Sequence, residues 1–135
     1  MDGLTSQLLD AAPLLLGDSH SLRTSLGTLD GRTVGVLEES GPLDATTAEQ
    51  GARFVRMCDA YGIPLIAIAG SPQPGGEVHA GAELLHAFAE SVVPRITLVT
   101  GPEHITMIAD ATVDSFTEPR DARRALVEAF CKFGP

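Results

Sequence analysis

Tryptophan is absent from the 135 residues, tyrosine occurs once and phenylalanine five times. A core must therefore be assembled from Leu, Val, Ile and Ala, which belong to an apolar fraction of 44%, and this composition suits an α/β protein. Basic residues are equally scarce. Nine Lys and Arg stand against eighteen Asp and Glu, giving a formal charge of −9 and a pI near 4.7. Nucleic acids and anionic membranes bind through basic patches that release counterions, so neither is expected as a partner. Arg120, Arg123 and Arg124 form the one local cluster of positive charge, read either as a solvated helix face or as a grip on a small anion. Cysteine is limited to Cys58 and Cys131, without CxxC or His spacing, which excludes a zinc motif and a disulfide framework and leaves reduced, buried thiols as the expectation. Long apolar runs are missing too. Near the start the longest, "APLLLG", lies between Asp10 and Asp18 with no basic region before it, so neither a signal peptide nor a membrane span is expected, and the location reads as cytoplasmic.

The length is that of one domain, taken as residues 1–135 with 1–20 as an N-terminal segment, and no repeat or linker divides it. Leu4, Leu8, Leu9 and Leu15 fall loosely at helical spacing and predict a short helix within residues 4–16, interrupted by Pro13. Strands are expected near 24–29 and 33–38, joined by Asp30-Gly31, a dipeptide that accepts the positive φ of a tight hairpin. Thr46 and Glu49 form a capping pattern before the helical positions Ala48, Ala52, Val55 and Cys58, and Gly62 is placed to end that helix in a left-handed conformation.

"IPLIAIAG", residues 63–70, is apolar without alternation and reads as a central strand covered on both faces. Leu65 and Ile66 should then point to opposite, equally buried faces. A helix is expected over 77–91, where Val78, Ala82, Leu85 and Ala89 form an apolar stripe and Pro94 stops further winding. "RITLVTG", residues 95–101, is a second buried strand, completing a right-handed βαβ unit with parallel strands. A variable piece follows, then a short strand in "TVDSFTEP" and a last helix from Pro119 to about Phe133.

Two blocks, "GARFVRMCDAYGIPLIAIAG" and "HAGAELLHAFAESVVPRITLVT", closely resemble the second half of biotin-dependent acyl-CoA carboxylase carboxyltransferase (β) subunits. "LDGRTVGVLEE" resembles that family's Gly-Arg-Pro-Val-Gly hairpin, and "ADATVDSFTEPRDARRAL" is similar to its final strand and helix, so the likeness spans roughly residues 24–128. The resemblance implies a single crotonase-like (ClpP/crotonase) α/β domain of ββα units with a mostly parallel sheet and covering helices. It also implies an oligomer, trimer or hexamer, or assembly with a carboxylase subunit. The ligands implied are acyl-CoA, or biotin carried by a partner, with no covalently bound cofactor and no metal. Only the C-terminal, biotin-facing kind of domain is represented. Two departures are visible: the family's Gly-Gly-Ala oxyanion segment is replaced by "GPEHITMIADATVDSF", and its Val-Pro-Gly-Phe loop by "AGSPQPGGEVHAG".

Within that frame the Pro/Gly loop 70–76 is open to two readings. Gly70, Gly75 and Gly76 allow backbone amides to approach an oxyanion at the start of the next helix, or they merely turn a strand into that helix. The candidate catalytic residues are Gly75, Gly76 and His79, and the candidate ligand-binding residues are Gly70, Ser71, Glu77 and His104. His86 lies two turns from His79, too far to share a metal with it. His104, with Glu103 beside it, follows a parallel strand at the end where α/β proteins place ligands, and reads alternatively as an exposed loop residue. Function divides accordingly between a carboxyltransferase-like protein acting through backbone amides and a noncatalytic binding or assembly module derived from one, with a hydratase or decarboxylase as a weaker third option. A concave, partly apolar pocket at the loop favours the first and a flat apolar patch the second.

Overall fold

The computed structural model describes residues 3–18, 21–40, 44–70, 87, 90–101, 104–109 and 112–132. Seven strands, β1 (Leu14–Asp18), β2 (Leu22–Leu29), β3 (Arg32–Glu39), β4 (Leu65–Gly70), β5 (Arg95–Thr100), β6 (Ile105–Ala109) and β7 (Thr112–Phe116), form one sheet in sequential order. Helices α1 (Gly3–Leu8), α2 (Ala45–Ala60) and α3 (Pro119–Cys131) accompany them among the described residues. Parallel pairing is confined to the centre, where β3 joins β4 and β4 joins β5, and the two ladders on either side are antiparallel, so the sheet is mixed and not mostly parallel as expected.

Period-two alternation sends successive side chains to opposite faces, and both faces are covered. On one, Val34, Val36, Ile66, Ile68, Ile96 and Leu98 pack against Leu8 from α1 and Ala122, Leu126 and Phe130 from α3. On the other, Leu22, Leu37 and Leu65 pack against Ala48, Ala52, Phe54, Val55 and Cys58 of α2. Ala87 and Val93 belong to this second core, and Ala87 and Glu90 are helical where a helix over 77–91 is expected. The other residues of that segment up to 89 lie outside the described set.

The hairpin is as the dipeptide requires. Asp30 and Gly31 have φ of 52° and 80°, the paired positive values of a two-residue primed turn. Asp10 fixes this turn from outside: its carboxylate accepts from the Asp30 and Gly31 amides, both at 2.8 Å, and from Arg123 Nη2 at 2.7 Å. Arg123 Nη1 also donates to the Leu8 carbonyl, so one side chain ties α3 to the end of α1. The two amides and the guanidinium hold the Asp10 carboxyl down from 3.8 to about 2. Because the folded value is depressed, its contribution to stability is present above about pH 4 and is lost as pH falls through about 2. Asp10→Asn is therefore expected to flatten the acid limb of stability between pH 4 and 2, measured by urea unfolding at stepped pH; an unchanged limb would contradict the coupling.

Helix α2 begins at Asp44, whose side chain accepts from Thr47 N at 2.8 Å, so the cap is Asp44 and not the expected Thr46 with Glu49. A carboxylate at that position also complements the positive end of the helix dipole, which explains the choice. Asp44→Ala should lower stability by about 1 kcal/mol in denaturant unfolding, with no change if the bond is incidental. At the other end Gly62, with φ of 69°, completes a Schellman motif in which Gly62 N donates to Asp59 O and Ile63 N to Cys58 O.

Three further expectations are corrected. The helix expected over 4–16 ends at Leu8, and Leu14–Asp18 is an edge strand, since Pro13 disfavours helix before it and β2 supplies backbone partners. The piece after β5 is not variable but forms β6, whose Ile105 and Met107 enter the core. Cys131 is exposed, whereas Cys58 is buried and its thiol is pushed up to about 11 by desolvation, which makes it inert as a nucleophile near neutral pH.

Candidate functional site: the carboxyl ends of the parallel strands

Three parallel strands emerge side by side at Glu39, Gly70 and Thr100. Their register aligns Glu39 with Ala69, Ala69 with Val99 and Gly70 with Thr100. In open α/β sheets this edge is where ligands bind, because loops and helix starts gather there. The start of α2 lies at the same edge, separated from the end of β3 by five residues.

Of the residues singled out from the sequence, Gly70 is the last residue of β4 and lies on this edge. Thr100 Oγ1 donates to the Ala69 carbonyl at 3.3 Å, tying the end of β4 to the end of β5. Ser71, Gly75, Gly76, Glu77, His79 and His86 lie outside the described residues, as does Glu103. His104 is exposed at the mouth of the β5–β6 hairpin, and its carbonyl accepts from Gly101 N at 2.9 Å. The chain thus reverses at once after β5, and Thr100 pairs with Ile105. The arginine cluster divides: Arg123 is committed to Leu8 and Asp10, while Arg124 is exposed beside Asp121 at 3.9 Å.

Glu39 is the residue that sequence reasoning passed over. Its register neighbours are Leu22 on β2 and Ala69 on β4, so its carboxylate stands at the end of the α2-side face. Partial burial there pushes its carboxyl above the ordinary glutamate range. Glu38, one residue earlier, serves the opposite face, where Thr5 Oγ1 donates to its Oε1 at 3.0 Å. The available signal was the pair of acids closing the apolar run "TVGVL" just before a helix, a position at the carboxyl end of a buried strand.

Other concavities lie away from this edge. A cleft of about 420 Å³ separates α3 from β7 along Phe116, Asp121, Arg124 and Glu128, and another of about 250 Å³ lies between α1 and the first strands along Thr5, Arg23 and Glu38. Among the described residues no three His, Cys, Asp or Glu side chains converge as a metal site, and no helix is long and apolar enough to cross a membrane.

Comparison with known proteins agrees with the fold. Residues 19–122 match the carboxyl transferase domain family. The chain is 50% identical over 93 residues to the biotin-dependent acetyl-/propionyl-coenzyme A carboxylase beta6 subunit of Mycobacterium tuberculosis, covering 59% of this chain and 20% of that protein. It is 44% identical over 85 residues to the mitochondrial propionyl-CoA carboxylase beta chain of Homo sapiens, covering 53% and 16% respectively. In three dimensions it is similar to transcarboxylase 12S, whose crystal structure describes a hexamer assembly with hydrolysed methylmalonyl-coenzyme A bound. That likeness has a TM-score of 0.62 at 30% identity, covering 72% of this chain and 22% of that one. The fold alone is shared with the beta subunit of Pseudomonas aeruginosa geranyl-CoA carboxylase, at TM-score 0.61 and 17% identity over 70% of this chain and 21% of that one. The chain therefore spans about a fifth of the length of the curated relatives it matches, as the 20% figure states. With most of its length inside the family's pattern and a mixed seven-stranded sheet of the crotonase-like kind, the chain belongs to the carboxyl transferase domain family.

Proposed function

We propose that this chain is a carboxyltransferase-type module that handles an acyl thioester or biotin at the carboxyl ends of β3, β4 and β5, through backbone amides rather than a nucleophilic side chain. The observation that carries the reading is the convergence of the three parallel strand ends at Glu39, Gly70 and Thr100 within the span of the family match. Preorganised amides at such an edge stabilise the oxyanion of an enolate or a ureido group, and each donor is worth about 10²–10³ in rate where it has been measured. Gly75, Gly76 and His79 are the proposed source of that stabilisation and of proton transfer, with Gly70, Ser71, Glu77 and His104 around the ligand. Acyl-CoA, or biotin carried by a partner, is the proposed ligand. The full site is proposed to need an oligomer, a trimer or hexamer, or a carboxylase partner, a reading supported by the hexamer assembly of the similar transcarboxylase 12S.

A second reading, a noncatalytic assembly module, is favoured by one specific feature. Gly101–His104 closes a tight hairpin after β5, at the place where the family resemblance leads one to expect Gly-Gly-Ala amide donors. Calorimetric titration with acetyl-CoA, propionyl-CoA and biotin, after the mass in solution is fixed by light scattering, separates the two. Saturable binding of any of these supports the first reading; no heat at millimolar ligand overturns it in favour of the module.

A further inference from the structure

Glu39 is a carboxylate in an unfavourable place for the fold. Its strand neighbours Leu22 and Ala69 are apolar, and among the described residues no side chain or amide donates to it. Acids in such surroundings weaken a fold unless something binds them, and proteins retain such features where function requires them. Neighbouring positions on the same face are small or aliphatic: Ala67 and Ala69 on β4 and Thr97 and Val99 on β5 are all half-buried. The row Glu39, Ala69, Val99 therefore joins a hydrogen-bond acceptor to an apolar wall. An anionic ligand meets a like charge there, in a chain that already carries −9. A neutral ligand with an N–H group and an apolar body meets neither conflict.

We propose that Glu39 is a ligand-binding residue whose carboxylate, at the end of β3 beside Ala69, accepts a hydrogen bond from the N–H of a neutral cyclic urea of the kind biotin carries. This assignment rests on the proposed handling of biotin and gives it a specific side chain. It makes Glu39 a specificity residue: it favours the urea over the polyanionic acyl-CoA and takes no proton from either. Alternation along β3 supplies the internal control, since Glu38 faces the other side and is held by Thr5.

The test is calorimetric titration of biotin methyl ester, which keeps the cyclic urea but carries no carboxylate, into the full chain and its variants, with thermal unfolding of each. Glu39→Gln should weaken biotin binding roughly 10- to 100-fold, the usual cost of a hydrogen bond to a charged group. Acyl-CoA binding should not weaken in that variant, and Glu38→Gln should leave biotin affinity unchanged. Glu39→Leu should abolish biotin binding while raising the melting temperature, because a partly desolvated carboxylate is removed from between apolar neighbours. If the wild-type chain binds biotin and Glu39→Gln binds it equally well, the inference falls and the proposed function stands. If Glu39→Leu lowers the melting temperature, Glu39 is a structural residue and the inference is overturned. A wild-type chain that binds neither biotin nor acyl-CoA removes the proposed function and this assignment together.

Discussion

Replacing Leu65 or Ile66 by alanine is expected to cost about 2–5 kcal/mol at either position, the range found when a large aliphatic side chain is deleted from a packed core. The two residues are adjacent in β4, yet they serve different cores. Leu65 packs with Phe54, Val55 and Cys58 on the α2 side, and Ile66 with Val34, Ile96, Leu126 and their neighbours on the side of α1 and α3. Both are essentially inaccessible to solvent, so neither cavity can fill with water without exposing apolar walls. Urea unfolding should show a lowered midpoint with an unchanged slope for each variant. Losses below about 1 kcal/mol at both sites would contradict a β4 covered on both faces.

Gly35→Ala is the second large effect, and it arises from overfilling rather than emptying. A Cβ at Gly35 would lie 2.7 Å from Cys58 Sγ, 3.2 Å from Phe54 Cζ and 3.3 Å from Leu65 Cδ2, where α2 presses closest on β3. Cys58 and Leu65 are fully buried and Phe54 nearly so, which leaves little room for relaxation. A loss of about 1–3 kcal/mol is expected. The double variant Gly35→Ala with Cys58→Ala removes the shortest of these contacts and should recover part of the loss. A double-mutant cycle with no coupling would show that α2 shifts freely and that the close approach is not enforced.

The central architecture was legible because each signal was local and redundant. "IPLIAIAG" and "RITLVTG" are apolar without alternation, and strands buried on both faces leave no other pattern. Asp30-Gly31 admitted few structures other than a tight turn, and Gly62 ended α2 as a glycine in the left-handed region does. The edges were harder to read. In Leu14–Asp18 three consecutive leucines remain exposed, so the strand shows no alternation and exists because β2 offers it backbone partners. "ITMIA" is short, and although Gly101-Pro102 marks a break after β5, that dipeptide does not tell a hairpin back onto β5 from a longer loop. The Asp44 cap competed with Thr46 for the same role, and only backbone geometry decides between them.

The candidate site divides in the same way. Gly70 and His104 could be placed at strand ends because the strands themselves could be placed. Glu39 could not be singled out before the register was known. In sequence "EE" reads as a solvated pair, whereas in the sheet one carboxylate meets Thr5 and the other stands between Leu22 and Ala69. Alternation is what separates them, and it becomes informative only once both faces are known to be covered.

The central claim is that ligand binds at the carboxyl ends of β3, β4 and β5, and the most direct measurement is an amide-resolved NMR titration of the full chain with biotin and, separately, with propionyl-CoA. The account predicts saturable shifts concentrated at Glu39, Ala69, Gly70, Thr100 and Gly101, with the α3–β7 cleft around Phe116 and Arg124 unchanged. Shifts centred on that cleft, or no shifts with either ligand, would contradict it.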